Sequence, residues 1–397
     1  MFSFIEDELQ ILKNNSLYRK PKTIEKINGN RITIDDRELI LFCSNNYLGL
    51  AQHPEVIQSA IEATQKFGTS SSASRLISGT NKIITELEKE LAEFKNREAA
   101  IVFPSGYQAN LGIISSLATE KDTIIIDRLN HASIIDGCKL TKAKLQVYLH
   151  KDIKQLEKIL IKSQGYEKRI IITDSIFSMD GDIAPLSKIQ ALGIRQKALV
   201  IVDTAHEIGI PRLRSEQVKK PRHQGTEVIM GTLSKVLGSS GGFVAGSKSL
   251  INYLRNKARS FIYTTALSPA SAAAALTALR IINKNPQLVK NLQKKSKYVR
   301  DKLTKLDFNC MESESQIIPI LIGDTKKTIE VSEFLFQNGI FASAIRPPTV
   351  PKNQSRLRIT ISATHTDEEL EKLLDVFKKL GTSIPRAFGP NKKKEKG

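Results

Sequence analysis

The chain has 397 residues, 40% apolar and 25% charged, enough for a large core spread over about two or three folding units. No apolar run of about 18 residues occurs, which argues against a membrane span, and three widely spaced cysteines (Cys43, Cys138 and Cys310) form neither a disulfide framework nor a metal pattern. The net charge of +19, from 60 Lys and Arg against 41 Asp and Glu, is dispersed and not interleaved with aromatics; a lysine-rich background ranks first as its cause, an acidic carrier protein or phosphorylated coenzyme second, nucleic acid last.

The opening stretch "MFSFIEDELQILKNN" is acidic and amphipathic, unlike a secretory signal or an Arg-rich transit peptide. Together with the unpaired cysteine count this indicates a cytoplasmic protein. Further along, β-branched runs alternate with amphipathic segments, the pattern of a mostly parallel sheet with crossover helices. Strands are expected at Ala99–Phe103, Asp122–Asp127, Arg169–Asp174, Ala198–Asp203 and Glu227–Gly231. Between them, "TELEKELAEF" puts Leu87, Leu91 and Phe94 on one helical face, and "KDIKQLEKILIK" does the same with Ile153, Leu156 and Leu160. Past about Lys284 the pattern changes to Lys-rich helices and the alternating strands "QIIPILIG" and "RLRITIS", a smaller α/β domain. In the final helix Thr366 and Glu369 form a capping box, Leu370, Leu373, Leu374 and Phe377 form the apolar face, and Gly381 is expected to stop it. The expected domains are 1–45 as an N-terminal segment, 46–284 as the large domain, 285–384 as the small domain and 385–397 as a basic disordered tail.

In open α/β sheets ligands bind beyond the carboxyl ends of strands, so the residues at those ends carry the functional argument. After "AIVF" comes "PSGYQAN", where Gly106 enters a helix and exposes backbone N–H groups suited to an anion; alone, this is as well explained by an ordinary strand–helix turn. After "TIIID" comes His131 among small residues, either a structural histidine or a flat ring stacked on another ring. Asp174 ends the next strand and is followed by Ser178 and the turn "MDGD". Asp203 ends an otherwise apolar strand, where a fully buried carboxylate without a partner costs several kcal/mol, so a cationic partner is expected. His206 follows three residues later on the same rim. The strand "EVIMG" then leads into "TLSK" and Lys235, a cation embedded among glycines and serines. Such an acid and such an amine match one need. A carboxylate holds a protonated pyridine nitrogen, and an amine captures the aldehyde across the ring as a Schiff base.

From about Leu17 to Gly381 the chain resembles the α-oxoamine synthases. The resemblance rests on "FCSNNYLGLAQHPEV", "SASRLISGT", "FPSGYQAN", "DRLNHASIIDG", "DSIFSMDGDIAPL", "VDTAH", "GTLSKVLGSSGGFVAGS", "FIYTTALSPA" and "PPTVPKNQSRLRITISATHT". It implies the PLP-dependent transferase fold type I (that of aspartate aminotransferase): a large domain with a mostly parallel central sheet between helices, and a smaller C-terminal α/β domain. The implied cofactor is pyridoxal 5'-phosphate (PLP), with no metal. The resemblance makes Lys235 the Schiff-base lysine, Asp203 the partner of the pyridine nitrogen and His131 the stacked histidine. Ser178 and His206 become hydrogen-bond partners of the phenolic oxygen. Gly106 and Tyr107 supply N–H groups, and Thr232 a hydroxyl, to the phosphate. Thr264 matches a hydroxyl reaching the phosphate of a neighbouring subunit, which implies a homodimer with its active site at the subunit interface. Arg358, assisted by Asn45, matches the arginine that grips the amino-acid carboxylate, and Arg19 and Arg346 lie near the acyl end.

Within the family, "AIRPPTVP" and "SKVLGSSGGFVAGS" look most like members that condense L-alanine with a pimeloyl thioester, pimeloyl-CoA or pimeloyl-acyl-carrier protein, giving 8-amino-7-oxononanoate for biotin synthesis. The alternatives are a sister enzyme using glycine or serine, and, in a different class, a non-catalytic basic binding protein on the same fold. Two features depart from the family pattern: Glu207 stands where glycine is usual, and the segment 212–224 is unusually basic.

Overall fold

The structure, a computed structural model, describes residues 2–207 and 227–383. The basic segment 212–224 and the tail beyond Pro385 lie outside the described residues. Contacts group the chain into two units, one of Leu48–Ser178 with Ile183–Val289, the other of Met1–Tyr47, Met179–Asp182 and Lys290–Gly397.

The larger unit is built on seven strands: β1 (Ala99–Phe103), β2 (Thr123–Asp127), β3 (Lys144–Tyr148), β4 (Arg169–Asp174), β5 (Leu199–Asp203), β6 (Glu227–Thr232) and β7 (Gly242–Gly246), in the order β1-β7-β6-β5-β4-β2-β3. From β6 to β3 all neighbours are parallel. Strand β7 is antiparallel to both β1 and β6. The apolar runs are continuous because both faces of the sheet are covered. Ile124, Ile126, Ile170, Ile172 and Ile201 pack on one side with helices Gly106–Leu117, Ala132–Lys139 and Lys248–Lys257. Their alternate neighbours Ile125, Ile171, Val200 and Val202 pack on the other, against Leu156 and Leu160 of helix Ile153–Lys162 and Ile189 and Leu192 of helix Leu186–Arg195. A side-chain period of two thus feeds two cores from one sheet.

Register sets the edge that matters for function. Asp174 lies beside Asp203, and Asp203 beside Met230. Because β7 runs backwards, its first residue, Gly242, pairs with the last residues of β1 and β6, Phe103 and Thr232. The ends of β1, β4, β5 and β6 and the start of β7 therefore share this edge with the ends of β2 and β3.

In the smaller unit, Ser355–Thr360 lies between Ile317–Gly323 and Ser343–Ile345, antiparallel to both. A second sheet holds Lys26–Asn28, Arg31–Ile34, Arg37–Leu41 and Ile340–Phe341, and its last pairing, Ile340 with Ile40, is parallel. The helix Asp367–Ser383 opens with the capping box: Glu369 N–H donates to Thr366 Oγ1 at 3.2 Å, and Thr366 N–H to Glu369 Oε2 at 3.1 Å. Gly381 does not end this helix, which continues to Ser383. A C-terminal glycine stop requires a left-handed backbone, and Gly381 does not adopt one; in an open setting its helical conformation costs only about 1 kcal/mol.

Candidate active site

The lysine loop between β6 and β7 is compact. Leu233 N–H donates to Gly241 O at 2.9 Å, Ser239 N–H to Leu233 O at 3.0 Å and Gly238 N–H to Lys235 O at 3.0 Å. Gly238 has φ +58°, and a Cβ there would meet Ala51 N at 2.4 Å, so the glycine is required twice over. This holds Lys235 half-buried with Nζ 2.8 Å from His206 Nε2. His206 belongs to the turn after β5, so the ends of adjacent strands bring the two together.

Asp203 is 4% exposed and, among the described residues, has no cation within 4.0 Å. The expected ion pair is replaced by neutral donors: Asn110 Nδ2 donates to Oδ2 at 2.9 Å, and Ala205 N–H to Oδ1 at 2.9 Å. Two such bonds offset the cost of burying a carboxylate, and Lys235 and His131 act on this group of strand-end charges through space. Its neighbour Asp174 was read only as a strand end. It accepts from Asn130 Nδ2 at 2.6 Å and from His131 N–H at 3.1 Å. Burial first and the adjacent Asp203 second push its pKa up to about 8.

His131 is the N-cap of helix Ala132–Lys139, with its Nδ1 2.7 Å from Ser133 Oγ. Burial lowers the pKa of the ring; Lys235 acts in the same direction, while Asp203 and Asp136 oppose it. Tyr107 presents its ring edge-on to His131, centroids 6.5 Å apart, and donates its hydroxyl to Asp136.

Ser105 caps the helix that begins at Gly106, accepting from Gln108 N–H at 3.1 Å. Gly242 packs so tightly here that a Cβ on it would lie 2.6 Å from both N and Cα of Gly106. A Cβ on Gly106 would in turn sit 3.4 Å from Thr232 Cβ. Glycines at both positions therefore bring the helix start, its free N–H groups and the Thr232 hydroxyl into one small region. Thr264 Oγ1 accepts from Gln108 Nε2 at 3.4 Å within this chain. Ser178 is half-buried and follows the isolated bridge Ile176–Ile183.

The smaller unit assembles its own cluster. Arg358, on Ser355–Thr360, is 6% exposed and donates through Nη2 to Asn45 Oδ1 and to Tyr47 Oη, each at 3.2 Å. Tyr47 Oη donates to Asn45 Oδ1 at 3.0 Å, closing a triangle around the guanidinium. Arg358 and Asn45 were expected; Tyr47, fully buried, was not, and its place in "SNNYLG" beside Asn45 was the available signal. Arg19 and Arg346 also meet: Arg19 Nη2 donates to Pro347 O at 2.9 Å, and Arg346 Nη1 to Ser16 O at 2.6 Å. Their guanidinium groups are thus tied to backbone carbonyls.

A helix-flanked sheet whose strand ends gather a lysine, two histidines and two buried carboxylates defines an α/β enzyme whose site is built on strand termini. The chain belongs to the aminotransferase class I and II family, whose model matches residues 37–377. It is 43% identical to the 8-amino-7-oxononanoate synthase of Thermoanaerobacter pseudethanolicus over 96% of this chain and 97% of that protein. Against the enzyme of the same name from Lysinibacillus sphaericus the identity is 45%, over 95% of this chain and 97% of the relative. Among solved structures, Sphingomonas wittichii serine palmitoyltransferase matches with a TM-score of 0.88 at 29% identity, over 96% of this chain and 98% of that one. The Francisella tularensis 8-amino-7-oxononanoate synthase matches with a TM-score of 0.72 at 28% identity, over 87% and 98% of the two chains. A serine palmitoyltransferase solved with PLP matches with a TM-score of 0.89 at 29% identity, over 96% and 98%.

Proposed function

We propose that this protein is a PLP-dependent acyltransferase that condenses L-alanine with a pimeloyl thioester, releasing CO2 and free thiol and giving 8-amino-7-oxononanoate for biotin biosynthesis. The observation that carries this reading is the gathering of Lys235, His206, Asp203 and His131 at one sheet edge. The substrate pair follows the relatives named above.

The residues fit the cofactor. Asp203, held among the described residues by two neutral donors, keeps lone-pair capacity for a protonated ring nitrogen. The N-terminus of helix Gly106–Leu117, with Thr232 beside it, suits a phosphate. When bound, PLP supplies an electron-accepting ring that stabilises negative charge at the amino acid's α-carbon. Lys235 anchors it, and its amine takes and returns the Cα proton, oriented by His206. Asp203 would pair with the ring nitrogen and favour its protonated form. His131 would cover the ring, and burial favours the neutral form of its imidazole. Ser178 and His206 would bond the phenolic oxygen, while Gly106 and Tyr107 N–H groups and the Thr232 hydroxyl would hold the phosphate.

Arg358 and Asn45 take the alanine carboxylate, and Arg19 and Arg346 serve the acyl end. In a cytoplasmic homodimer Thr264 reaches the phosphate bound by the second copy. The donor is pimeloyl-CoA or pimeloyl-acyl-carrier protein, both anionic and both suited to a chain of charge +19. The proposed domain plan is 46–284 for the cofactor-binding part and 285–384 for the small part.

A serine-using sister activity is the second reading, favoured by the high structural similarity to serine palmitoyltransferases. Mass-spectrometric product identification separates the two, with alanine, glycine and serine each offered against pimeloyl and palmitoyl thioesters. The proposal requires 8-amino-7-oxononanoate as the preferred product; a preference for serine with the palmitoyl donor overturns it.

A further inference from the structure

We propose that Asn110 and Ser133, oriented by Asp203, are positioning residues that hold the neutral ring of His131 with the proton on Nε2. The inference rests on the reading above that Asp203 and His131 hold the cofactor ring. The donor and acceptor roles follow from the groups themselves. An ionised Asp203 can only accept, so Asn110 must turn its amide nitrogen toward it, 2.9 Å from Oδ2. The same Nδ2 lies 2.8 Å from Ser133 Oγ and can only donate to it. Ser133 therefore spends an oxygen lone pair on Asn110 and has its hydroxyl proton left to give. Its other neighbour is His131 Nδ1, at 2.7 Å. The backbone N–H of Ser133 points to the same nitrogen at 3.3 Å. Nδ1 is thus an acceptor from two donors, and a neutral imidazole of that kind carries its hydrogen on Nε2.

The relay joins three elements: β5 through Asp203, helix Gly106–Leu117 through Asn110 and helix Ala132–Lys139 through Ser133. Asn110 and Ser133 are 0% and 1% exposed, so water does not compete for these bonds. Protonating Nδ1 would set its hydrogen against the N–H of Ser133 and force the Ser133 hydroxyl to turn its own proton away within a buried site. The other groups acting on the ring are Asp136 on its own helix, Lys235 from the β6–β7 loop and Tyr107 edge-on, with Asp174 at its backbone N–H. Asp203 and Asp136 favour a cationic ring, while burial and Lys235 oppose it; the relay acts with the latter pair. Over a ring whose nitrogen is protonated, a neutral imidazole adds no second positive charge.

Long-range 1H–15N spectra of the PLP-free protein, labelled at its six histidines, test this without turnover. The His131 signals are assigned by their loss in His131→Asn. The wild type is expected to show an Nε2-protonated His131. Ser133→Ala is expected to mix the two tautomers and raise the midpoint of His131 titration, with Ser133→Thr restoring both. An Nδ1-protonated ring in the wild type overturns the proposal, and so do an unchanged tautomer and midpoint in Ser133→Ala. If Ser133→Ala does not fold, the wild-type tautomer still decides. Failure here in a protein that binds PLP overturns the relay alone, whereas a wild type that cannot bind PLP overturns the functional reading.

Discussion

At the scale of single residues, the site is a set of mostly buried polar groups bonded to one another, with Asn110 Oδ1 and Asn130 Oδ1 left without a partner among the described residues. Asp203 illustrates both the strength and the limit of reading a sequence. Its position at the end of an apolar strand marked it, but two neutral donors hold it instead of a cation. One of them, Asn110, lies 93 residues away in sequence, a distance over which no local pattern speaks. Asp203→Asn is expected to lower turnover roughly 100-fold or more, the scale of losing one electrostatic stabiliser in an active site, while PLP remains bound. Steady-state kinetics with an absorbance spectrum check this, and unchanged kinetics would make the carboxylate structural. Asp174 was read only as a strand end because what raises its pKa to about 8, above the usual carboxylate range, is burial first and the register beside Asp203 second, and neither is a local feature of the sequence. The folded state therefore binds this proton more tightly than the unfolded chain does. The resulting stabilisation is full below about pH 4 and is lost as pH rises through about 8. Asparagine mimics the protonated acid, so the stability of wild type relative to Asp174→Asn falls across that window, measurable by denaturant unfolding at several pH values.

At the scale of elements, four of the five parallel strands were legible because their apolar runs are long, β-branched and bounded by polar ends, whereas the half-exposed edge strand β3, "KLQVY", was not. Strand β7 was not: in "GGFVAG" the backbone contacts, more than the side chains, define the strand. Its insertion between β1 and β6 is what aligns Gly242 with Thr232 and Gly106. Gly242→Ala would drive a methyl group into the backbone of Gly106, which cannot yield without moving the helix start. The expected result is PLP affinity reduced at least 10-fold, read by titrating the apoprotein with PLP; wild-type affinity would place the phosphate elsewhere. The strand Arg37–Leu41 was equally hidden. Its parallel partner Ile340–Phe341 has only two residues and lies some 300 positions away, so neither periodicity nor turn chemistry announces the pairing.

At the scale of the whole molecule, burial of titratable groups sets how stability depends on pH. His365 stacks on Phe42, ring centroids 4.3 Å apart. Its Nδ1 accepts from Ser362 N–H at 2.9 Å, and its Nε2 is 3.1 Å from Leu41 O. Burial lowers its pKa to about 4. The unfolded chain takes up this proton near pH 6.5 while the folded chain resists it, so the associated stability is full above 6.5 and is lost as pH falls toward 4. The stability advantage of wild type over His365→Gln is expected to shrink by about 3 kcal/mol across that range, checked by unfolding at pH 7 and pH 4. A pH-independent difference would mean that the ring titrates normally. The class of the fold, a mostly parallel sheet between helices, was legible because composition, alternation and strand-end polarity agree. The bonds that hold the site together were not, because they are made by burial and register.

The central claim is that Lys235 is the amine that holds the cofactor. Borohydride reduction of the PLP-loaded protein, followed by proteolysis and peptide mass mapping, tests it most directly. The account predicts the added pyridoxyl-phosphate mass on the peptide containing Lys235, and none in Lys235→Ala. A stable adduct on another lysine of the wild type, or no adduct at all, would contradict it.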